Sequence, residues 1–156
     1  MSQDRQEKMR QLKLKAKRKE LAGQLTCLSP SVTYDSFLSV DETITLSKTL
    51  YQLLSTLPVT RQLGKGHDEA YQALVQVNSQ LGKVSDEHVV LLHLQDRDSG
   101  AVVIKVSDYL EHLQMLMDFA GFFIGRRDFV LVHPELDFGI CIERFEYHNN
   151  LVVWGL

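Results

Sequence analysis

Residues 128–156 read DFVLVHPELDFGICIERFEYHNNLVVWGL, and the fold is decided here. Three apolar runs stand out: Phe129-Val130-Leu131-Val132, Phe138-Gly139-Ile140-Cys141-Ile142 and Leu151-Val152-Val153-Trp154. His133-Pro134-Glu135 and Tyr147-His148-Asn149-Asn150 separate them. β-Branched and aromatic side chains fit a pleated surface, while Pro and Asn suit tight turns, so the stretch reads as three strands. The last run closes the sequence, and the chain is expected to finish as a packed strand rather than a tail.

Working outward, Val89-Val90-Leu91-Leu92-His93-Leu94 and Ala101-Val102-Val103-Ile104-Lys105-Val106 read as two more strands. Their polar connector, ending in Gly100, suits a hairpin. Between this pair and the C-terminal trio, Ser107 is expected to cap a helix, with Asp108 at its positive end. Leu110, Leu113, Leu116, Met117 and Ala120 would line the buried face, and Gly121 or Gly125 would end the helix. Upstream, Ser39-Val40-Asp41-Glu42 has capping-box spacing, followed by Ile44, Leu46, Leu50, Leu53, Leu54 and Leu57 at helical spacing; this predicts a helix over 41–56, before Pro58. A third helix is expected over 68–81, from Ala70, Leu74, Val77 and Leu81. Residues 62–67 read as a loop. Their Gly-Lys-Gly triplet lacks the strand, frame and hydroxyl of a phosphate-binding loop. Hairpins dominate, so the expected fold is α+β, an antiparallel sheet of about five strands with helices packed on one face.

Net charge is −3, but it is unevenly placed. Residues 1–20 hold eight basic and three acidic side chains; the rest hold nine basic and seventeen acidic. Residues 2–25 are rich in good helix formers, with a narrow apolar stripe of Met9, Leu12 and Ala16 that Leu21 and Leu25 would extend. The division is therefore a basic N-terminal helix at 1–25 and a single α+β domain at 26–156. Pro30 breaks the helix.

Several function classes lose support. No run nears the roughly 18 apolar residues of a membrane span, and the N-terminus is not of signal-peptide type, so a cytoplasmic location is expected. Cys27 and Cys141 form no metal-ligand spacing, and neither metal nor cofactor is expected. The six histidines are scattered singly, with no HExxH pair and no GxSxG elbow. Glu143 and Glu146, the nearest carboxylate pair, point to opposite faces at strand spacing. No catalytic residues are assigned, and no enzymatic activity is expected.

What remains is surface. Glu135, Asp137, Glu143 and Glu146 lie close in sequence with only Arg144 between them, followed by Tyr147 and His148. Asp96 and Asp98, with Asp86 and Glu87, belong to the neighbouring hairpin and would extend the patch. Carboxylates beside aromatics suit a basic protein partner, because charge steers the encounter and aromatic rings anchor it. At these C-terminal residues the chain resembles bacterial immunity proteins that neutralise nuclease toxins, those of contact-dependent growth inhibition in particular. The likeness runs from Phe138-Gly139-Ile140-Cys141-Ile142-Glu143 through Val153-Trp154-Gly155. It implies a cytosolic, non-enzymatic protein that binds a cognate basic nuclease toxin and covers or distorts its active site. The competing reading is a nucleic-acid-associated regulator in which Arg10, Lys13, Lys15, Lys17 and Arg18 track phosphates. Against it, no aromatic residue interleaves those charges for base stacking.

Overall fold

The computed structural model describes residues 2–26, 32–124 and 127–156. Cys27, the break at Pro30 and Gly125 lie outside the described residues. The C-terminal trio folds as β4 (Phe129–Val132), β5 (Gly139–Arg144) and β6 (Asn149–Trp154), an antiparallel meander in which Cys141 faces Val130 on one side and Val152 on the other. With β1 (Arg61–Leu63), β2 (His88–Leu91) and β3 (Val102–Lys105) it forms one antiparallel sheet, ordered β1-β6-β5-β4-β2-β3. The protein is α+β, with six strands among the described residues where about five are expected. The addition, β1, falls partly in the segment read as a loop. It is three residues long with only Leu63 buried, too short to show an alternating pattern.

The sheet is covered on both faces, not one. Phe129, Leu131, Ile140, Ile142 and Leu151 point into the larger core, while Val130, Val132, Cys141 and Val152 point into a second. All four residues of β4 are buried, and a strand buried on both faces reads as a continuous apolar run rather than an alternating one. The larger core is closed by α3 (His67–Asn78), α5 (Val106–Glu111) and α6 (Leu113–Ala120), together with Leu21 and Leu25. The second is closed by α2 (Val40–Leu54), through Leu50 and Leu54.

Local chemistry sets the helix ends. The Glu42 N–H donates to Ser39 Oγ at 3.0 Å and the Ser39 N–H to Glu42 Oε1 at 3.1 Å, so both halves of the capping box form. Ser107 does not cap its helix. Tertiary acceptors take over, the Val106 and Ser107 N–H groups donating to Glu87 O and Ser85 O. The expected single helix is split at His112 into α5 and α6, and Gly121, at φ +88°, ends it. The β2–β3 connector is not a simple turn but a short helix, α4 (Asp96–Ser99).

Helix α1 (Ser2–Gln24) is roughly 34 Å long at ~1.5 Å per residue. Its second half docks. Arg18 donates to Ser99 O at 2.9 Å and Leu38 O at 3.0 Å and lies over Phe37, while Lys15 and Lys19 sit over the Tyr34 ring. Residues 2–13 are exposed throughout, Met9 and Leu12 included. Among the described residues no helix is long and apolar enough to cross a membrane.

Candidate functional site

Polar groups converge at the end of the sheet where β4 begins and β5 finishes. Asp128, just before β4, accepts the Arg144 N–H at 2.8 Å on one oxygen and the Tyr51 hydroxyl at 2.6 Å on the other. Tyr51 belongs to α2, where Thr43, Ser47 and Tyr51 recur every four residues and therefore share one side of the helix. That side faces α4. Thr43 Oγ1 accepts the Ala101 N–H at 2.8 Å and donates to Ser39 O at 2.9 Å. Asp96, at the start of α4, is 2% exposed; one oxygen accepts the His93 N–H at 3.1 Å and the Arg127 guanidinium at 2.9 Å. Among the described residues its Oδ1 has no partner. Thr43, Ser47, Tyr51, Asp96, Arg127 and Asp128 line a cleft of about 270 Å³.

The electrostatics follow from this crowding. Burial, then the neighbouring Asp128, push the Tyr51 phenol well above its usual range. The same two causes, in the same order, raise the Glu143 carboxyl. The Cys141 thiol is driven up by burial and then by Glu143 and Asp128, which keeps it protonated and a poor nucleophile. Burial holds the His93 imidazole below its ordinary value. His93 Nε2 lies 3.0 Å from Gly100 O and Nδ1 accepts the Gln95 N–H, so the partners fix the neutral Nε2–H tautomer. His93 thus ties both ends of α4 together. Among the described residues no group of three or more His, Cys, Asp or Glu is arranged to hold a metal ion.

Next to the cleft stands the β5–β6 hairpin tip, residues 145–148. The Phe145 N–H donates to His148 O at 2.9 Å, and the two rings stack with centroids 5.1 Å apart. Lys65 braces the tip from the loop after β1, donating to Phe145 O at 2.6 Å and Asn149 Oδ1 at 3.3 Å. Arg144 turns away from the tip, its guanidinium donating to Arg127 O and Phe122 O and lying over the Phe122 ring. This leaves Tyr147, 81% exposed, and Phe145, 44% exposed, presented beside the exposed Glu146.

The acidic residues expected to form one patch are divided. Glu143, Glu146, Tyr147, His148 and Asp98 lie at this end of the sheet; Glu135 and Asp137 lie in the turn at the opposite end of β5, roughly 17 Å away at ~3.4 Å per residue. Asp86 and Glu87, just before β2, are at that far end as well. Asp96 is buried and ion-paired inside the protein, so it does not join a surface patch. Glu143 is half-buried and Glu146 exposed, and they share no site. Trp154 packs on the second core, its Nε1–H donating to Leu136 O at 3.0 Å. Of the basic residues proposed to track phosphates, Arg18 is committed to backbone carbonyls, Arg10 pairs with Glu7 and Lys17 with Glu20. Arg10, Lys13 and Lys17 line a cleft of about 690 Å³, facing Asp41 and Asp98. Sequence reasoning missed Tyr51, Arg127, Asp128, Lys65 and Phe145. The four-residue spacing of Thr43, Ser47 and Tyr51 was a legible hint, but their partners are remote in sequence.

Fold and site together define a small α+β protein with one antiparallel sheet and a carboxylate- and hydroxyl-lined cleft at one end of it. The chain belongs to the YxiF protein family, whose model matches residues 22–154. The match therefore begins in the last turn of α1 and leaves out most of the basic helix. The chain is also similar to the "Uncharacterized protein YxiF" of Bacillus subtilis (strain 168), 34% identical over 88 residues, which is 55% of this chain and 56% of that protein. The chain thus spans little more than half the length of this curated relative. No solved structure matches it.

Proposed function

We propose that this is a cytosolic, non-enzymatic inhibitor of the immunity type, which binds a basic toxin of the nuclease class through the Glu143 end of the sheet. The observation that carries the reading is the braced hairpin tip, which holds Tyr147 and Phe145 out in solvent beside Glu146 and Glu143. Exposed aromatics on a rigid support lose little conformational freedom on binding, and tyrosine is enriched among binding anchors. The carboxylates around them attract a basic surface and stand where the phosphates of a nuclease's substrate would lie. Glu135 and Asp137 are too remote to join this contact and would serve only a partner that reaches along the sheet.

The test begins with proteins that co-purify with the chain from its host, identified by mass spectrometry. A stoichiometric basic nuclease, inhibited on adding the purified chain, is the expected result. The folded Tyr147→Ala plus Glu146→Lys variant should then bind it roughly 100-fold more weakly, as for the loss of an anchor and a charge contact. Undiminished inhibition by that variant sinks the surface assignment. The nucleic-acid reading keeps one supporting observation, the exposed first half of α1. It predicts binding at low salt that disappears when residues 2–13 are deleted.

A further inference from the structure

We propose that the cleft between α2 and α4 receives a single guanidinium group, the side chain of an arginine on the bound partner. The inference rests on the reading of this end of the sheet as a protein-binding face. Its volume, about 270 Å³, falls just short of the ~300 Å³ at which sites for drug-sized molecules begin, and suits one side chain. The charges that face it are Asp96, Asp128 and the nearby Glu143 against Arg127 and Arg97. Arg127 already pairs with one oxygen of Asp96, and among the described residues the other oxygen of this deeply buried carboxylate has no partner. Asp128 has accepted one hydrogen bond on each oxygen and has lone pairs to spare. Arg144 attracts Asp128 through its charge without forming a close ion pair, and among the described residues no cation forms an ion pair with Glu143.

A planar guanidinium, with five donors in a fixed fork, can donate to the free lone pairs of Asp128, while its charge offsets that of the buried Asp96. An ammonium would offer three donors around a point charge and would be costlier to dehydrate. The ring of Tyr51, half-exposed at the mouth, adds a face over which a guanidinium can lie. An anion would gain only Arg97 and the outer side of Arg127 while meeting three carboxylates.

The test uses the whole chain, 15N-labelled, titrated with ethylguanidinium chloride against sodium chloride at equal ionic strength. Saturable shifts of the Ser47, Tyr51, Asp96 and Asp128 amides are expected, with ethylammonium weaker. Asp128→Asn should weaken the response roughly tenfold, as for loss of one charged contact. Asp96→Asn, which keeps the size of the side chain, serves if the first variant does not fold. Shifts no larger than those given by sodium chloride overturn the proposal, as do unchanged shifts in the folded variants, or sodium acetate proving the better ligand. The two readings fail separately. A silent titration with Tyr147-dependent inhibition intact removes the guanidinium site alone; a positive titration with no such inhibition removes the immunity reading and leaves the site.

Discussion

On one face of the sheet, α3, α5, α6 and the end of α1 close a core that runs from Leu21 to Leu151. On the other, α2 is the one helix among the described residues that closes a smaller core, over Val90, Val130, Val132, Cys141 and Val152. A single helix about 10–12 Å wide cannot cover a six-stranded sheet, and its two edges stay open. One edge forms the cleft of Thr43, Ser47, Tyr51 and Asp96; the other, lined by Glu42, Thr45, Leu46, Thr49, Pro134 and Leu136, encloses about 580 Å³. Dense packing on the first face holds the sheet rigid. Incomplete packing on the second leaves a cleft lined by the polar side chains of Thr43, Ser47, Tyr51 and Asp128.

The largest expected effect tests whether the faces are separable. Phe129→Ala, in the larger core, should cost about 3–5 kcal/mol and loosen the whole molecule. Leu50→Ala should cost about 2–5 kcal/mol and release α2 first. Urea denaturation measures the totals, and hydrogen exchange shows whether Val40–Leu54 amides open ahead of those in β4 and β5. Equal opening energies in both elements would break the comparison and make the two faces one cooperative unit. A smaller effect sharpens it: Ser39→Ala removes the cap of α2 and should cost about 1 kcal/mol, again with α2 exchanging fastest. Unchanged exchange at Val40–Leu54 would place the stability of α2 in its packing alone.

The smallest effect concerns the open edge. Glu143 is raised in the folded protein, which therefore holds its proton to higher pH than the unfolded chain does. Its contribution to stability is fully present below the unfolded value and is lost as pH rises through the folded one. Glu143→Gln should accordingly stabilise the protein at neutral pH, by under about 1 kcal/mol because solvent still screens this half-buried group. The gain should vanish below about pH 4, near the ordinary glutamate value. A variant that loses stability at neutral pH would mean that Glu143 has a favourable partner.

The strand trio was legible because its apolar runs and turn residues are local signals, and so was the capping box of α2. The second layer was also written in Val89-Val90-Leu91 and Phe129-Val130-Leu131-Val132, runs with no polar alternation, though hairpin logic favoured one covered face. The site was harder to read. Closeness in sequence suggested that Glu135 and Glu143 share a patch, yet an extended strand carries them to opposite ends of the sheet. Asp96 looked like a solvated hairpin residue because its partner, Arg127, is 31 residues away. Tyr51 and Asp128, separated by 77, meet only once the sheet and α2 are assembled.

Gly139 gives the molecule its own reporter. A side chain there would collide with the ring of Trp154, which instead lies against bare backbone. The sequence contains one tryptophan, so all indole emission comes from this place. Trp154 sits at the far end of β6 from the hairpin tip, roughly 17 Å along the strand at ~3.4 Å per residue. Its fluorescence will follow the opening of the C-terminal strand and stay nearly silent when something docks on Tyr147. An unfolding curve can therefore be recorded on unlabelled protein, with indole emission reporting on the end of the sheet away from the hairpin tip.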